Sequence, residues 1–428
     1  MSSVNAADLG GNCCADLEER VAELEATTAR KGNRVVSLQV YGQVNKALLF
    51  WDDGDNSDVF VVDNDYSGSR LGFTGKGTIK PGWTAGYLIE FDYQDAASDK
   101  VDNRRFKSGV GGLDSDELNA NEIVVRYNEG YIENERLGRV SLGQGSSAAD
   151  GINEIVLGNS LRNSDLAWNN SFRLRTSDGG LATFNWAQVA GNLDGNRDDR
   201  IRYDSPSIYG FILSASWGDN NYYDVALRFK KEWNSIRIAA GIAYQWDGTE
   251  DVLPNVATIS PGEVGFPATG VAGGNTASFL DSFSSFEILS GSISLMHIPT
   301  GVYGAFAAGE KDYDEFDNDP SFWFVQLGIE KKWLPYGSTT IYGEYAQYHD
   351  FNRTPVFTGT AITGAGADLE SEAERWGFGV VQKFDSAALE IYAQAVFWEY
   401  EDNATISEGE DVEYEDLTQI MIGSRIKF

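Results

Sequence analysis

The sequence lacks the features that define several common classes of protein. No run of eighteen apolar residues occurs in its 428 residues, so no transmembrane helix is predicted. Its two cysteines, Cys13 and Cys14, are adjacent and cannot link distant parts of one chain. Because no CxxC pair and no nearby histidine accompany them, neither a metal site nor another tightly held cofactor is predicted. Free thiols and a disulfide between subunits both remain open.

Positive charge is also scarce. The chain has 33 Lys and Arg against 65 Asp and Glu, a formal net charge of −32, which would repel phosphate and excludes nucleic acid as a partner. The acidic surface suits loosely bound divalent cations, although acidic loops that simply keep the protein hydrated would have the same composition. A hydrophobic content of 42% is too high for a disordered acidic chain.

The stretch Val35–Trp51, VVSLQVYGQVNKALLFW, shows where the apolar residues lie. Alternate positions from Val36 to Phe50 are mostly apolar, and the positions between them are mostly polar. Side chains alternate across a strand, so one face is apolar and the other is wet. Lipid outside and water inside a barrel would provide these two environments. Lys46 is the exception on the apolar face, where a lysine at mid-membrane costs about 2–4 kcal/mol; it would snorkel or face a subunit interface.

The rest of the chain repeats this alternation, with short and long connections in turn. Short turns are predicted at 232–235, 299–301, 334–338 and 385–387, and long loops at 247–281, 310–320, 349–374 and 401–415. This layout predicts an all-β, transmembrane antiparallel barrel over residues 35–428. Eighteen candidate strands are present. Sixteen remain if the short hairpin of Phe172–Thr176 and Leu181–Val189 belongs to the preceding loop.

Aromatic residues recur at the ends of the candidate strands. Their amphipathic rings predict girdles at the two membrane interfaces. The residues are Trp51, Trp83, Tyr93, Trp217, Trp233, Trp246, Trp333, Tyr336, Trp376 and Trp398.

Residues 1–34 form a different kind of segment. From Asp16 to Arg30 the period becomes helical, and Leu17, Val21 and Leu24 form an a/d seam. Two heptads are too short to hold an oligomer together alone. The segment therefore predicts a short periplasmic helix, either bundled at the axis of an existing oligomer or solitary at the barrel mouth.

Three stretches and the last residue carry a family resemblance. They are Gly10–Leu38, Tyr41–Gly54 (YGQVNKALLFWDDG), Asp198–Asp219 (DDRIRYDSPSIYGFILSASWGD) and Phe428. On them the chain resembles the trimeric general porins of alphaproteobacteria, of the rhizobial and Rhodopseudomonas type. The resemblance implies a sixteen-stranded barrel in the Gram-negative outer membrane, a homotrimer, and a third loop folded inward.

The same resemblance implies several partners. Outer-membrane lipids, including lipopolysaccharide, would surround the barrel, and the barrel-assembly machinery would read the last strand through Phe428 as its signal. Relatives of this class can be joined to peptidoglycan at the mature N-terminus, which fits Ala7-Asp8.

The predicted pore constriction uses charges of both signs. The inward loop is predicted at about 146–169, with Asp150, Glu154 and Asp165. Arginines with inward parity are predicted on the wall: Arg70, Arg126, Arg173, Arg175 and Arg202. If the loop folds inward, its carboxylates would face the guanidinium groups of these arginines across the lumen. The opposed charges would set up a transverse field that favours hydrated polar solutes. Inward Glu90 and Asp92 would bias the pore toward cations or neutralise neighbouring arginines. Any barrel must keep arginine off its lipid face, so inward parity alone is weak evidence.

These features predict a general diffusion porin, a water-filled channel for ions and small hydrophilic solutes. A substrate-specific channel and a structural anchor between membrane and peptidoglycan are the alternatives. An enzyme is not predicted, because His297 and His349, the two histidines, lie at a turn and a loop edge without a nucleophile motif nearby.

Overall fold

A computed structural model describes residues 35–94, 96–103, 122–160, 171–219, 221–248, 285–314, 319–351, 355–358, 361–365, 370–403 and 412–428. The predicted N-terminal helix, with Leu17, Val21 and Leu24, and the loop residue Asp165 lie outside these residues. No helix in the described part of the chain is long or apolar enough to span a membrane.

Most of the described chain is β-strand. The strands are β1 (Gln39–Asp52), β2 (Ser57–Asp63), β3 (Arg70–Lys80), β4 (Trp83–Gln94), β5 (Glu122–Asn134), β6 (Gly138–Ser146), β7 (Arg173–Arg175), β8 (Leu181–Asn185), β9 (Arg197–Asp204), β10 (Phe211–Gly218), β11 (Tyr222–Trp233), β12 (Ile236–Asp247), β13 (Phe286–His297), β14 (Val302–Tyr313), β15 (Ser321–Leu334), β16 (Gly337–His349), β17 (Pro355–Thr358), β18 (Ala361–Ala365), β19 (Ser371–Phe384), β20 (Leu389–Asp402) and β21 (Leu417–Lys427).

Sixteen of these strands form a closed antiparallel barrel. Each of β3–β6, β9–β16 and β19–β21 pairs with its neighbour in that order, and β1 closes the ring by pairing with both β21 and β3. At the seam the amides of Gly42 and Phe428 each donate to the other residue's carbonyl, with N–O distances of 2.9 and 3.0 Å. The prediction of sixteen strands is confirmed, because β7 and β8 pair only with each other among the described strands.

Connection lengths follow the predicted alternation with one exception. Turns such as 81–82, 234–235 and 335–336 join strands at one end of the barrel, and most connections at the other end are longer. The exception is the link from β10 to β11, which spans only residues 219–221 although it lies at the long-loop end.

The two faces of the wall differ as the alternation predicts. Outward side chains stay exposed in the isolated chain, for example Leu142 at 66%, Leu327 at 66% and Ile242 at 53%. Six of the predicted girdle aromatics are exposed as well: Tyr93, Trp217, Trp233, Trp333, Tyr336 and Trp376. For Trp51 and Trp398 the girdle prediction is wrong. Both point into the barrel, where they are 4% and 0% exposed.

One stretch of the wall is split between two strands. The half of β1 nearest the long loops pairs with β2, and the other half pairs with β3. At this junction the Nζ of Lys46 lies 2.7 Å from Oδ2 of Asp63, whose side chain is 0% exposed. The other Asp63 oxygen accepts from the Ser69 hydroxyl. The outward lysine is therefore neutralised by a buried carboxylate of its own subunit.

Replacing Lys46 by Met is expected to lower the free energy of unfolding by about 1–3 kcal/mol, because the buried Asp63 would lose a partner while the lysine itself is 41% exposed. The double variant Lys46→Met with Asp63→Asn should recover most of this loss. Denaturant titration of protein folded into lipid vesicles measures both. If the single and double variants lose equal stability, the ion pair does not hold this junction.

Candidate functional site

The segment Ser147–Asn196 leaves the wall after β6 and returns to it at β9. We call it the lumen excursion. Its first limb is Ser147–Ser160, and its second arm is Ser171–Asn196, which carries the β7–β8 hairpin. Residues 161–170 lie outside the description. The predicted loop of 146–169 is too short, because the hairpin belongs to the same excursion.

The first limb crosses the inner face of the wall from β10 to β15. The amide of Ala148 donates to the Ser216 hydroxyl on β10, at 3.0 Å. Farther along, the amide of Leu157 donates to Ser294 on β13, at 3.1 Å. The Ser160 hydroxyl donates to Oε1 of Gln326 on β15, at 2.7 Å. Wall side chains thus supply partners that a loop inside a barrel would otherwise lack.

Small side chains on the wall make room for this limb. The buried inward residues on β10–β14 include Ser214, Ser216, Ala226, Ala243, Ser290, Ser292, Ser294, Ala305 and Ala307. At Gly241 a Cβ atom would lie 2.5 Å from Cδ1 of Ile152, so a larger residue would collide with the limb. This run of small inward residues on neighbouring strands is the sequence signal that locates the loop, and the sequence analysis missed it.

Two carboxylates hold the turn at the start of the limb, the partly buried Asp194 and the fully buried Asp224. Asp194 accepts from three successive amides, those of Gly151 at 2.7 Å, Ile152 at 2.9 Å and Asn153 at 3.2 Å. Asp224 accepts from the amide of Ala149 at 2.6 Å. Neither residue was predicted as part of the site.

Arg228 adds a cation to the same turn. Its guanidinium donates to the carbonyls of Ala148 and Asp150, at 2.6 and 2.8 Å. The turn that carries Asp150 is therefore fixed from both sides.

A charged cluster occupies the wall on β3, β4 and β5. Arg126 donates to Glu90 at 3.0 Å and to Asp92 at 2.7 Å, and Arg70 lies 3.6 Å from Glu90. The hydroxyl of Tyr41 also donates to Glu90, at 2.8 Å. We call Arg70, Glu90, Asp92 and Arg126 the wall cluster. The structure brings all four predicted residues together, with the acids beside the arginines.

A β-bulge aims Arg126 into this cluster. In the pairing of β4 with β5, Glu90 faces Tyr127 and Phe91 faces Val125, which leaves Arg126 as the extra residue. A bulge re-aims side chains locally. Tyr127 makes a 2.7 Å hydrogen bond with the hydroxyl of Ser146, at the point where the excursion begins.

The start of the limb lies close to two wall arginines of β9. Oδ2 of Asp150 is 4.0 Å from Nε of Arg197. Arg202 pairs with Asp204 at 2.7 Å and donates to the carbonyl of Ser147, also at 2.7 Å. Arg197 was not singled out in the sequence, although it immediately precedes the Asp198–Asp219 stretch.

Comparison with known proteins shows the family to which this barrel belongs. A family model for Gram-negative porins matches residues 2–403. The chain belongs to the Gram-negative porin family. It is an outer-membrane, multi-pass β-barrel that works as a diffusion channel. Family and fold point to a channel rather than an enzyme.

Solved structures show the same fold at low identity. The anion-selective porin of Comamonas acidovorans is 15% identical, with 92% of this chain and 100% of that chain covered and a TM-score of 0.52. In-vitro folded OmpT of Vibrio cholerae, in trimer form, is 13% identical, with 92% of this chain and 100% of that chain covered and a TM-score of 0.51. The channel DcaP of Acinetobacter baumannii is 11% identical, with 93% of this chain and 99% of that chain covered and a TM-score of 0.50. No curated protein matches the porin.

The wall position predicted for Arg173 and Arg175 is wrong. Both lie on β7, within the excursion of the porin, because the short hairpin that resembles wall strands is not part of the barrel. Arg175 is 7% exposed and pairs with Asp53 at 2.8 Å.

Asp194 has an unusual pKa for a carboxyl group in a loop. Burial raises its pKa well above the ordinary value, and neighbouring Glu154 and Asp150 raise it further. Its hydrogen bonds from the amides of Asn153 and Gly151 oppose this rise without cancelling it. Glu154, predicted at the constriction, therefore lies close enough to Asp194 to raise the pKa of its carboxyl group.

This shift predicts a pH-dependent stability. A carboxyl group whose folded-state pKa is raised contributes most below its unfolded pKa, about 3.9 for Asp, and that contribution is lost as pH rises through the folded value. The Asp194→Asn variant cannot ionise there. Denaturant midpoints are measured for both proteins at pH values from below about 3.9 upward. The midpoint of the wild type should fall with rising pH relative to that of Asp194→Asn. Parallel curves would show that the pKa of Asp194 does not change on folding.

Proposed function

We propose that this porin is a general diffusion channel whose solutes pass between the wall cluster and the first limb of the excursion. The observation that supports this most directly is that charged side chains there stay partly open inside the barrel. Side-chain exposures are 19% for Arg70, 17% for Arg126, 14% for Asp92 and 18% for Asp150. Charges left partly exposed within a barrel require water beside them.

The proposed constriction is polar but locally balanced. Two guanidiniums and two carboxylates make up the wall cluster. Arg202 of the wall, and Asp150 and Glu154 of the limb, would border the same passage. Because the positive and negative charges of the cluster nearly cancel, the net charge of −32 on the whole chain would decide ion selectivity. A negative net charge favours cations.

The finer assignment is also a proposal. A homotrimer agrees with the trimer form of OmpT, and membership among the alphaproteobacterial porins rests on the stretches quoted from the sequence. Recognition of Phe428 by the assembly machinery, attachment to peptidoglycan, and binding of lipopolysaccharide or divalent cations likewise remain predictions. An anchoring role is not favoured as the main function, because family and fold indicate a channel.

Swelling of liposomes that contain the purified porin tests general diffusion. Rates for neutral sugars should fall steeply with solute size and rise linearly with concentration, because no solute is bound. Empty liposomes and heat-unfolded porin are the controls. Saturation by one solute, with competition from its analogues, would instead indicate a substrate-specific channel, and absence of swelling with inserted porin would contradict both.

A further inference from the structure

The inner wall of the barrel differs between its two sides. On β1, β15, β16, β20 and β21 the inward side chains include many large apolar and aromatic residues, with buried polar residues such as Gln326 and Gln394 between them. Trp51, Phe322, Phe324, Tyr348, Trp398 and Leu417 are all 4% exposed or less. In an open water-filled barrel such residues would be wet, so their burial shows that something covers them.

The second arm of the excursion provides much of the cover, together with Val156 and Leu157 of the first limb. Phe172, Leu174, Trp186 and Val189 are each at most 1% exposed and belong to one apolar cluster with the wall. The Trp186 ring lies 5.3 Å from that of Trp398, measured between centroids. Phe172 meets Trp51 edge-on at 5.4 Å.

A buried ion pair fixes the β7–β8 hairpin over this side. Nη2 of Arg175 lies 2.8 Å from Oδ2 of Asp53, and the same oxygen accepts from the Asn103 amide at 2.8 Å. Asn103 in turn accepts from the backbone amide of Arg173 at 3.0 Å. The hairpin is thus tied to the β1–β2 turn and to the start of the β4–β5 loop.

Backbone bonds tie the hairpin to a third connection. The amide of Glu415 donates to the carbonyl of Arg175 at 2.8 Å, and the amide of Ser177 donates to the carbonyl of Glu413 at 3.0 Å. These residues precede β21, the strand that closes the barrel.

We propose that the porin conducts through only one side of its lumen, in front of β3–β6 and β9, and that the second arm of the excursion, with the β7–β8 hairpin at its centre, seals the side in front of β15, β16, β19–β21 and β1. The proposal rests on the proposed diffusion function. It makes the second arm a determinant of pore width in addition to the first limb. Asp53 and Arg175 are its positioning residues.

The chain offers a way to shorten the seal to its two ends. The amide of Trp186 donates to the carbonyl of Phe172 at 3.0 Å, so two glycines can replace residues 173–185 with little displacement of the ends. Trp186 lies outside the deletion, so Trp186→Ala is added to remove the ring that packs against Trp398. Asp53→Asn is added so that no buried carboxylate remains without its cation.

Single-channel conductance and exclusion of graded polyethylene glycols are then compared with wild type. Opening the sealed side should raise conductance about twofold and admit larger polymers, because more of the barrel cross-section becomes available. Unchanged conductance and unchanged polymer cut-off, in protein shown to be folded, would overturn the proposal. Lys332→Gln is the matched control; it removes an exposed ion pair with Asp385 outside the excursion and should change neither the conductance nor the polymer cut-off.

A second measurement keeps the hairpin intact and does not depend on the deletion folding. In a Cys13→Ser, Cys14→Ser background, Val396→Cys places a thiol on the sealed side and Arg202→Cys places one on the open side. Val396 is 1% exposed, and the side chain of Arg202 is 17% exposed. A charged, water-soluble thiol reagent should modify only the variant at 202. Equal modification at both sites would overturn the sealed side, whereas a wild-type porin that conducts nothing would overturn the diffusion function itself.

Discussion

The fold depends on the requirement that every backbone polar group in a membrane find a partner inside the protein. A barrel meets this requirement only when its first and last strands pair. Here β1 pairs with β21, and Gly42 and Phe428 exchange backbone hydrogen bonds at the seam. The closed ring then imposes the period-two pattern, because each strand must present apolar side chains to lipid on alternate positions. It also fixes the wall against which the excursion packs.

Inside the ring the chain satisfies polar groups in a different way. The excursion has no regular strand partner along its first limb, so wall serines and the carboxylates of Asp194 and Asp224 accept its amides. Its second arm relies on apolar packing and on one buried ion pair. The two limbs therefore use the lumen differently. One borders charged residues that stay partly exposed, and the other fills space with aromatic rings.

Much of the barrel was predictable because lipid imposes a simple rule on each strand. The stretch around Val44 and Leu48 shows that rule clearly, and the weak arm at Phe172–Thr176 correctly suggested sixteen strands. Arg173 and Arg175 were misplaced because three residues of strand carry too little pattern to distinguish wall from loop. Trp51 and Trp398 were misplaced because a strand-end tryptophan suits either the membrane interface or an apolar seal inside.

The contacts within the site were harder to predict. The bulge at Arg126 depends on the pairing register with β4, which alternation within one strand does not contain. Asp194 and Asp224 act through loop amides distant in sequence. For Lys46 the parity argument found the anomaly, and only the split between β2 and β3 showed its partner, Asp63.

The most direct test of the central claim is the conductance of refolded porin in a planar lipid bilayer, with the reversal potential measured across a KCl gradient. A water-filled trimeric pore in an acidic protein predicts discrete steps in multiples of three and a preference for cations. Protein that is shown to be folded and inserted but gives no conductance steps would contradict the claim.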